Sequence, residues 1–83
     1  MPARVTLLGP LRDLAQVGSL ATQAPSVEVL LEELEEQFGD EFADRARRAR
    51  ILVNGAAIQF GRGEHTLLRD GDDVALVFPV GGG

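Results

Sequence analysis

Few side chains in this sequence are of a kind that does chemistry. There is no cysteine and a single histidine, His65, so thiolate chemistry, disulfides and the usual cysteine or histidine metal sites are out of reach. All the basic residues are arginine, which leaves no ε-amine for a Schiff base or for isopeptide acceptance. No serine–histidine–acid set and no supported pair of acids is visible. Gly61-Arg62-Gly63 is followed by Glu64 and His65 rather than by a phosphate-loop lysine, and reads as a loop, with His65 a solvated member of it. Arg45, Arg47, Arg48 and Arg50 read as a solvated helix end, with an anion patch as the sharper alternative. The remaining reactive group is the backbone carboxylate at the end of Pro79-Val80-Gly81-Gly82-Gly83. Three glycines add about 10 Å of reach with no side chains, and their ordering entropy predicts a mobile tail over residues 79–83. A partner could thread so thin an arm through a narrow channel. The carboxylate, with a pKa of about 3.5, is ionised at neutral pH. It could attack the α-phosphate of ATP to give an activated acyl-adenylate.

A tail of this kind needs a body to present it. Arg4-Val5-Thr6-Leu7-Leu8, closed by Gly9-Pro10, predicts a first strand. Leu11, Leu14, Ala15 and Val17 allow one or two helical turns before Gly18, and the alternating Ser19–Gln23 predicts a second strand. Ser26 is a good N-cap for a long helix whose apolar stripe is Val27, Leu30, Leu31, Leu34 and Phe38. Four glutamates cover its other faces, and Gly39 ends it. Asp40 is the expected cap of a shorter helix with acids first and arginines last, which suits the helix dipole. Asn54-Gly55, between Ile51–Val53 and Ala57–Phe60, is a type I′ hairpin signal. After the turn Asp70-Gly71-Asp72-Asp73, the nearly all-apolar Val74–Phe78 predicts a central strand buried on both faces. Phe38, Phe42 and Phe60 are expected at the core or its rim. The fold class is therefore α+β: a mixed five-stranded sheet with one long helix packed across one face, the last strand lying centrally beside the first. This is the β-grasp, or ubiquitin-like, arrangement, expected as a single domain over residues 1–83.

Composition excludes much else. At 83 residues with 45% hydrophobic content, the chain can build a core and is too small for a deep pocket of its own. A net charge of −5 argues against nucleic acid as a main partner. The apolar runs are too short for a membrane span, and Met1-Pro2-Ala3-Arg4 has no apolar leader character. A cytoplasmic location is the expectation.

The motifs together resemble the MoaD/ThiS family of sulfur-carrier proteins, prokaryotic relatives of ubiquitin, and are most similar to MoaD-type members. Leu7-Leu8-Gly9-Pro10-Leu11-Arg12-Asp13-Leu14-Ala15 is similar to the opening in which a strand runs into an "R-E/D-L-A/V-G" turn. Val53-Asn54-Gly55 and Asp70-Gly71-Asp72-Asp73-Val74-Ala75 match the "VNG" and "DGDEVA" segments, and Phe78–Gly83 resembles the "FPPVxGG" end. The resemblance implies a protein co-substrate rather than an enzyme. An E1-like adenylating enzyme of the MoeB/ThiF type would use ATP to adenylate Gly83, and a sulfurtransferase would convert the product to a thiocarboxylate. No cofactor or metal is held by the carrier itself. In the MoaD case, the sulfur passes to a pterin precursor in a complex with the large molybdopterin synthase subunit MoaE. The tail residues Pro79, Val80, Gly81 and Gly82 would then enter the partner while an apolar sheet face docks beside it. Leu8, Ile58, Val77, Phe78 and Arg12 are the corresponding candidates. Phe78-Pro79 stands where the family has a double proline, the triple glycine is more typical of ThiS, and Ile58–Gly63 with Thr66 is similar to the branch that includes CysO. The alternatives are therefore a CysO-like or other pathway-specific carrier (for cysteine, thiamine or another sulfur metabolite), a ubiquitin-like modifier joined through Gly83, and an interaction domain with an inert tail.

Overall fold

The structure is a computed structural model that describes residues 2–58 and 66–77. Five strands and three helices follow one another as β1 (Ala3–Leu8), α1 (Pro10–Ala15), β2 (Ser19–Thr22), α2 (Val27–Phe38), α3 (Asp40–Arg48), β3 (Arg50–Val53), β4 (Ala56–Ile58) and β5 (Asp73–Val77). The strands form one mixed sheet in the order β2-β1-β5-β3-β4. β5 is central, parallel to β1 and antiparallel to β3, as its apolar composition requires.

The long helix forms where its stripe and cap place it. The Ser26 hydroxyl accepts a hydrogen bond from the Val29 amide at 3.3 Å, satisfying one orphan donor of the first turn. Val27, Leu30 and Leu34 are fully buried, each contributing about 1.5–3 kcal/mol of hydrophobic free energy. Leu31 and Phe38 pack at the edge of the same cluster. The Phe38 ring lies 5.0 Å from that of Phe42, tilted by 43°, and Phe42 is the largest buried side chain. Phe60 lies outside the described residues.

Gly39 joins α2 to α3 without a linker. Its φ of 94° and ψ of 180° fall in a region open essentially only to glycine. It caps the end of α2 by donating its amide to the Glu35 carbonyl, and it is also the N-cap of α3. Asp40 is therefore not the cap of α3. It is the first helical residue, makes no capping hydrogen bond, and acts only as one of the acids near the positive end of the dipole.

All three helices contribute to one cluster. Leu11 and Ala15 of α1, the α2 stripe, and Phe42 and Ala46 of α3 meet Val5, Leu7, Ile51, Val74 and Leu76 of the sheet. Thr22 is a buried polar residue. Its hydroxyl donates to Glu33 Oε1 at 3.1 Å and accepts from the Ala24 amide at 3.0 Å. One of the helix glutamates thus ties β2 to α2 instead of only facing water.

The Asn54-Gly55 turn has φ of 52° and 86° at its two central residues, as a type I′ hairpin demands. Asn54 does more than turn the chain. Its Oδ1 accepts from the Asp73 amide at 2.9 Å and its Nδ2 donates to Asp72 Oδ1 at 3.0 Å. Asp72 Oδ2 accepts from the Arg69 amide at 2.8 Å. These bonds clamp the hairpin tip to the entry of β5. The Arg69 amide, and then the Asn54 side chain, hold the Asp72 carboxyl below its ordinary value of 3.8. A depressed folded-state pKa contributes stability that is present above the unfolded value and lost as pH falls through the folded one. Thermal melts should therefore show Asp72→Asn less stable than the parent at neutral pH, with the gap closing below about pH 4. A gap that stayed constant down to pH 2 would show that the carboxylate charge is irrelevant to the clamp.

Candidate functional site

The two faces of the sheet differ. Val5, Leu7, Ile51, Val74 and Leu76 point into the helices and are 0–2% exposed. The alternate residues point the other way. Strand register places Ser19, Thr6, Ala75, Leu52 and Ala57 in one row across this outer face, and Leu8, Val77 and Arg50 in the next. The helices all pack on the opposite side. Thr6, Leu52, Ala75 and Val77 are half-buried by their neighbours alone, and Leu8 and Ala57 are exposed. β5 is thus buried on one face, not on both. Its apolar alternate positions belong to an open surface.

Because β1 and β5 are parallel, Leu8 and Val77 finish side by side at the same end of the sheet. Residues 78–83 are attached there. The Gly9–Gly18 excursion also sits at this end, since the Leu7 amide donates to the Gly18 carbonyl at 2.9 Å. Arg12 is exposed on α1, and its guanidinium stem lies across Gly18, where an added Cβ would meet Nε at 3.4 Å. The structure therefore brings Leu8, Val77 and Arg12 to one end.

Ile58 does not join them. It pairs with the buried Ile51, faces the helices and packs against the core cluster. It thus stands on the other side of the sheet from Leu8 and Val77, and Leu52 and Ala75 occupy the outer face at these strands. Phe78, Pro79, Val80, Gly81, Gly82 and Gly83 lie outside the described residues, as do the Gly61-Arg62-Gly63 segment and His65.

Among the described residues, no group of three histidine, cysteine or acidic side chains could hold a metal ion, and no helix is long and apolar enough to cross a membrane. Two open depressions, of about 410 and 450 Å³, lie at the start of β1 and along β2. The first is lined by Thr22, Ala24, Leu68 and Arg69 among others. It lies at the far end of the sheet from Val77. What the described residues show is an apolar outer face that reaches Leu8 and Val77, after which the sequence continues into Phe78–Gly83.

The model of the ThiS family matches residues 5–83. The chain belongs to the ThiS family. No curated protein matches this ThiS-family chain in sequence. Among solved structures, it is similar to small archaeal modifier protein 1 from Methanosarcina acetivorans, with 25% identity over 98% of this chain and 95% of that one and a TM-score of 0.80. It is also similar to subunit 1 of the molybdopterin-converting factor from Helicobacter pylori, whose structure is a complex with subunit 2. There the identity is 26% over the full length of both chains, with a TM-score of 0.71. CysO from Mycobacterium tuberculosis shares the fold at 21% identity, over 94% of this chain and 99% of that one, with a TM-score of 0.77. The fold is the β-grasp of ubiquitin-like sulfur carriers and modifiers.

Proposed function

We propose that this chain is a sulfur carrier and the small, non-catalytic subunit of a molybdopterin synthase. The observation that carries the reading is the arrangement at one end of the sheet. The central strand ends beside Leu8 on an open apolar face, and the sequence from that point is Phe-Pro-Val-Gly-Gly-Gly. A rigid platform beside a side-chain-free segment suits delivery of a backbone carboxylate into another protein's site. The full-length likeness to a molybdopterin-converting subunit solved with its partner subunit supports this first choice of pathway.

The reaction runs on Gly83. Its carboxylate oxygen attacks the α-phosphorus of ATP bound by an adenylating enzyme of the MoeB/ThiF type, and pyrophosphate leaves. The terminal sulfur of a persulfide on a sulfurtransferase attacks the acyl carbon and AMP leaves; a thiol then attacks the cysteine sulfur of the resulting acyl disulfide, the S–S bond breaks with formation of a new disulfide, and the thiocarboxylate is released. The carrier contributes the reacting carboxylate and the docking face. ATP belongs to the partner's chemistry. A MoaE-like large subunit then receives the tail and transfers the sulfur to its pterin substrate. The second reading is a ubiquitin-like modifier, favoured by the full-length likeness to the archaeal modifier. It would join Gly83 to amines on target proteins. A CysO-like or thiamine-type carrier shares the thiocarboxylate step and differs in the acceptor.

Intact mass after incubation with an adenylating enzyme, ATP and a sulfur donor separates these readings. A gain equal to replacing one oxygen by sulfur is expected. Ladders on target proteins without that gain would favour the modifier, and an unchanged mass with every adenylating enzyme tried would remove both.

A further inference from the structure

The molecule is acidic overall, yet three of its arginines gather at the end of the sheet that carries residues 78–83. Arg50 is the first residue of β3 and the register neighbour of Val77, in the outer-face row Leu8–Val77–Arg50. Neighbouring strands are about 4.8 Å apart, so Arg50 stands at the edge of the apolar surface where β5 ends. Arg48, the last residue of α3, lies two positions earlier at the same end. Its side chain is 70% exposed and makes only a loose 3.5 Å contact with Asp44. Arg12 reaches the same end from α1, across Gly18. Among the described residues, neither Arg12 nor Arg50 has an ion-pair partner. Arg47, by contrast, is committed to Glu35 at 2.9 Å. Asp13 adjoins Arg12 on α1 and Asp44 touches Arg48, while the five glutamates of α2 and the three aspartates of the 70–73 turn lie away from this end.

We propose that Arg12, Arg48 and Arg50 form a cationic collar that recognises a carboxylate-lined rim around the tail entrance of the adenylating enzyme. The inference rests on the carrier reading above and adds the chemistry of the rim. The collar cannot serve the nucleotide. Gly83 is the sixth residue after Val77; with that stretch extended through a partner's channel it spans about 20 Å, which puts phosphates at its tip beyond the collar's reach. A rim contact of this kind acts mainly on association. It steers encounter and orients the apolar row onto its counterpart, and its effect fades with salt as the Debye length shrinks.

The test compares the parent with Arg12→Glu/Arg50→Glu, and with Arg4→Glu/Arg69→Glu as a control that changes net charge equally at the opposite end of the sheet. The association rate with the adenylating enzyme from the same genome is measured as a function of ionic strength, and adenylation of each variant is followed in parallel. Reversal at the collar is expected to slow association about tenfold at low salt, converging to within about twofold near 0.5 M. The distal pair should stay close to the parent. Equal slowing by both pairs would mean that net charge, not the collar, is responsible. Unchanged association in the collar variant would overturn the proposal directly. So would salt-sensitive self-association of the parent that the collar variant loses, since the collar would then be meeting the acidic face of a second copy. If the parent itself is not adenylated, the carrier reading fails; a parent that is adenylated while the collar variant associates at the same rate at every salt concentration sinks only the collar.

Discussion

Removing Gly83 is expected to abolish adenylation while leaving the melting temperature within about 2 °C of the parent. Among the described residues, the sheet pairing runs as far as Val77, and the buried core cluster is drawn from residues 5–76. Deletion should therefore cost almost nothing in folding. The loss of function should be complete rather than partial. A carboxylate moved back by one residue falls short of the α-phosphate by about 3.5 Å, and in-line attack tolerates far less displacement than that. Adenylation followed by pyrophosphate release, together with a thermal melt of the same preparation, checks both halves. A truncated protein that melted far below the parent would make the tail a structural element, and the platform account would fall.

The second large effect is expected at Val77. This side chain is half-buried on the outer face, beside Leu8 and against no helix. Val77→Asp should cost folding no more than about 1 kcal/mol, the range for a strand position whose side chain keeps access to water. In a complex that covers the outer face, the same carboxylate would be buried without a partner. That costs about 2–5 kcal/mol, or roughly 30- to 5,000-fold in Kd. Binding isotherms to the acceptor subunit and to the adenylating enzyme, set beside the variant's unfolding free energy, separate the two costs. Parent-like affinity for both proteins would take Val77 out of the interface. Ile58→Asp should behave in the opposite way, because Ile58 faces the helices: folding suffers first.

The contrast between Val77 and Ile58 marks where the sequence can be read and where it cannot. Ser26 through Gly39 is legible because the apolar stripe repeats with the helix period and both ends carry residues with a distinct job. Asn54-Gly55 is legible because two successive positive φ angles admit few residue types. The central position of β5 follows from its composition. The side of the sheet that each strand residue faces does not follow. Arg50–Val53 and Val74–Val77 are nearly continuous apolar runs, so they carry no period of two to tell inner from outer. Only the register between β1, β3 and β5 settles it, and register across such sequence distances is not a local property. The same gap leaves Leu52 and Ala75 without a surface signal in the sequence and gives β5 the pattern of a strand buried on both faces. Asp40 differs from its sequence expectation for a simpler reason: Gly39 takes both caps at the α2–α3 junction, leaving the aspartate inside the helix. The clamp among Asn54, Asp72 and Asp73 joins two segments that read only as separate turns. Its bonds depend on the hairpin tip and the β5 entry meeting in space.

The central claim is that this fold exists to carry a chemically activated Gly83. Its most direct measurement is a fragmentation mass spectrum of the protein isolated from its own cells under non-reducing, thiol-free conditions. The account predicts a C-terminal fragment ending at Gly83 in which one oxygen is replaced by sulfur, with every other fragment unmodified. A natural product that continues past Gly83, or sulfur found anywhere but on that terminal carboxyl, would contradict it.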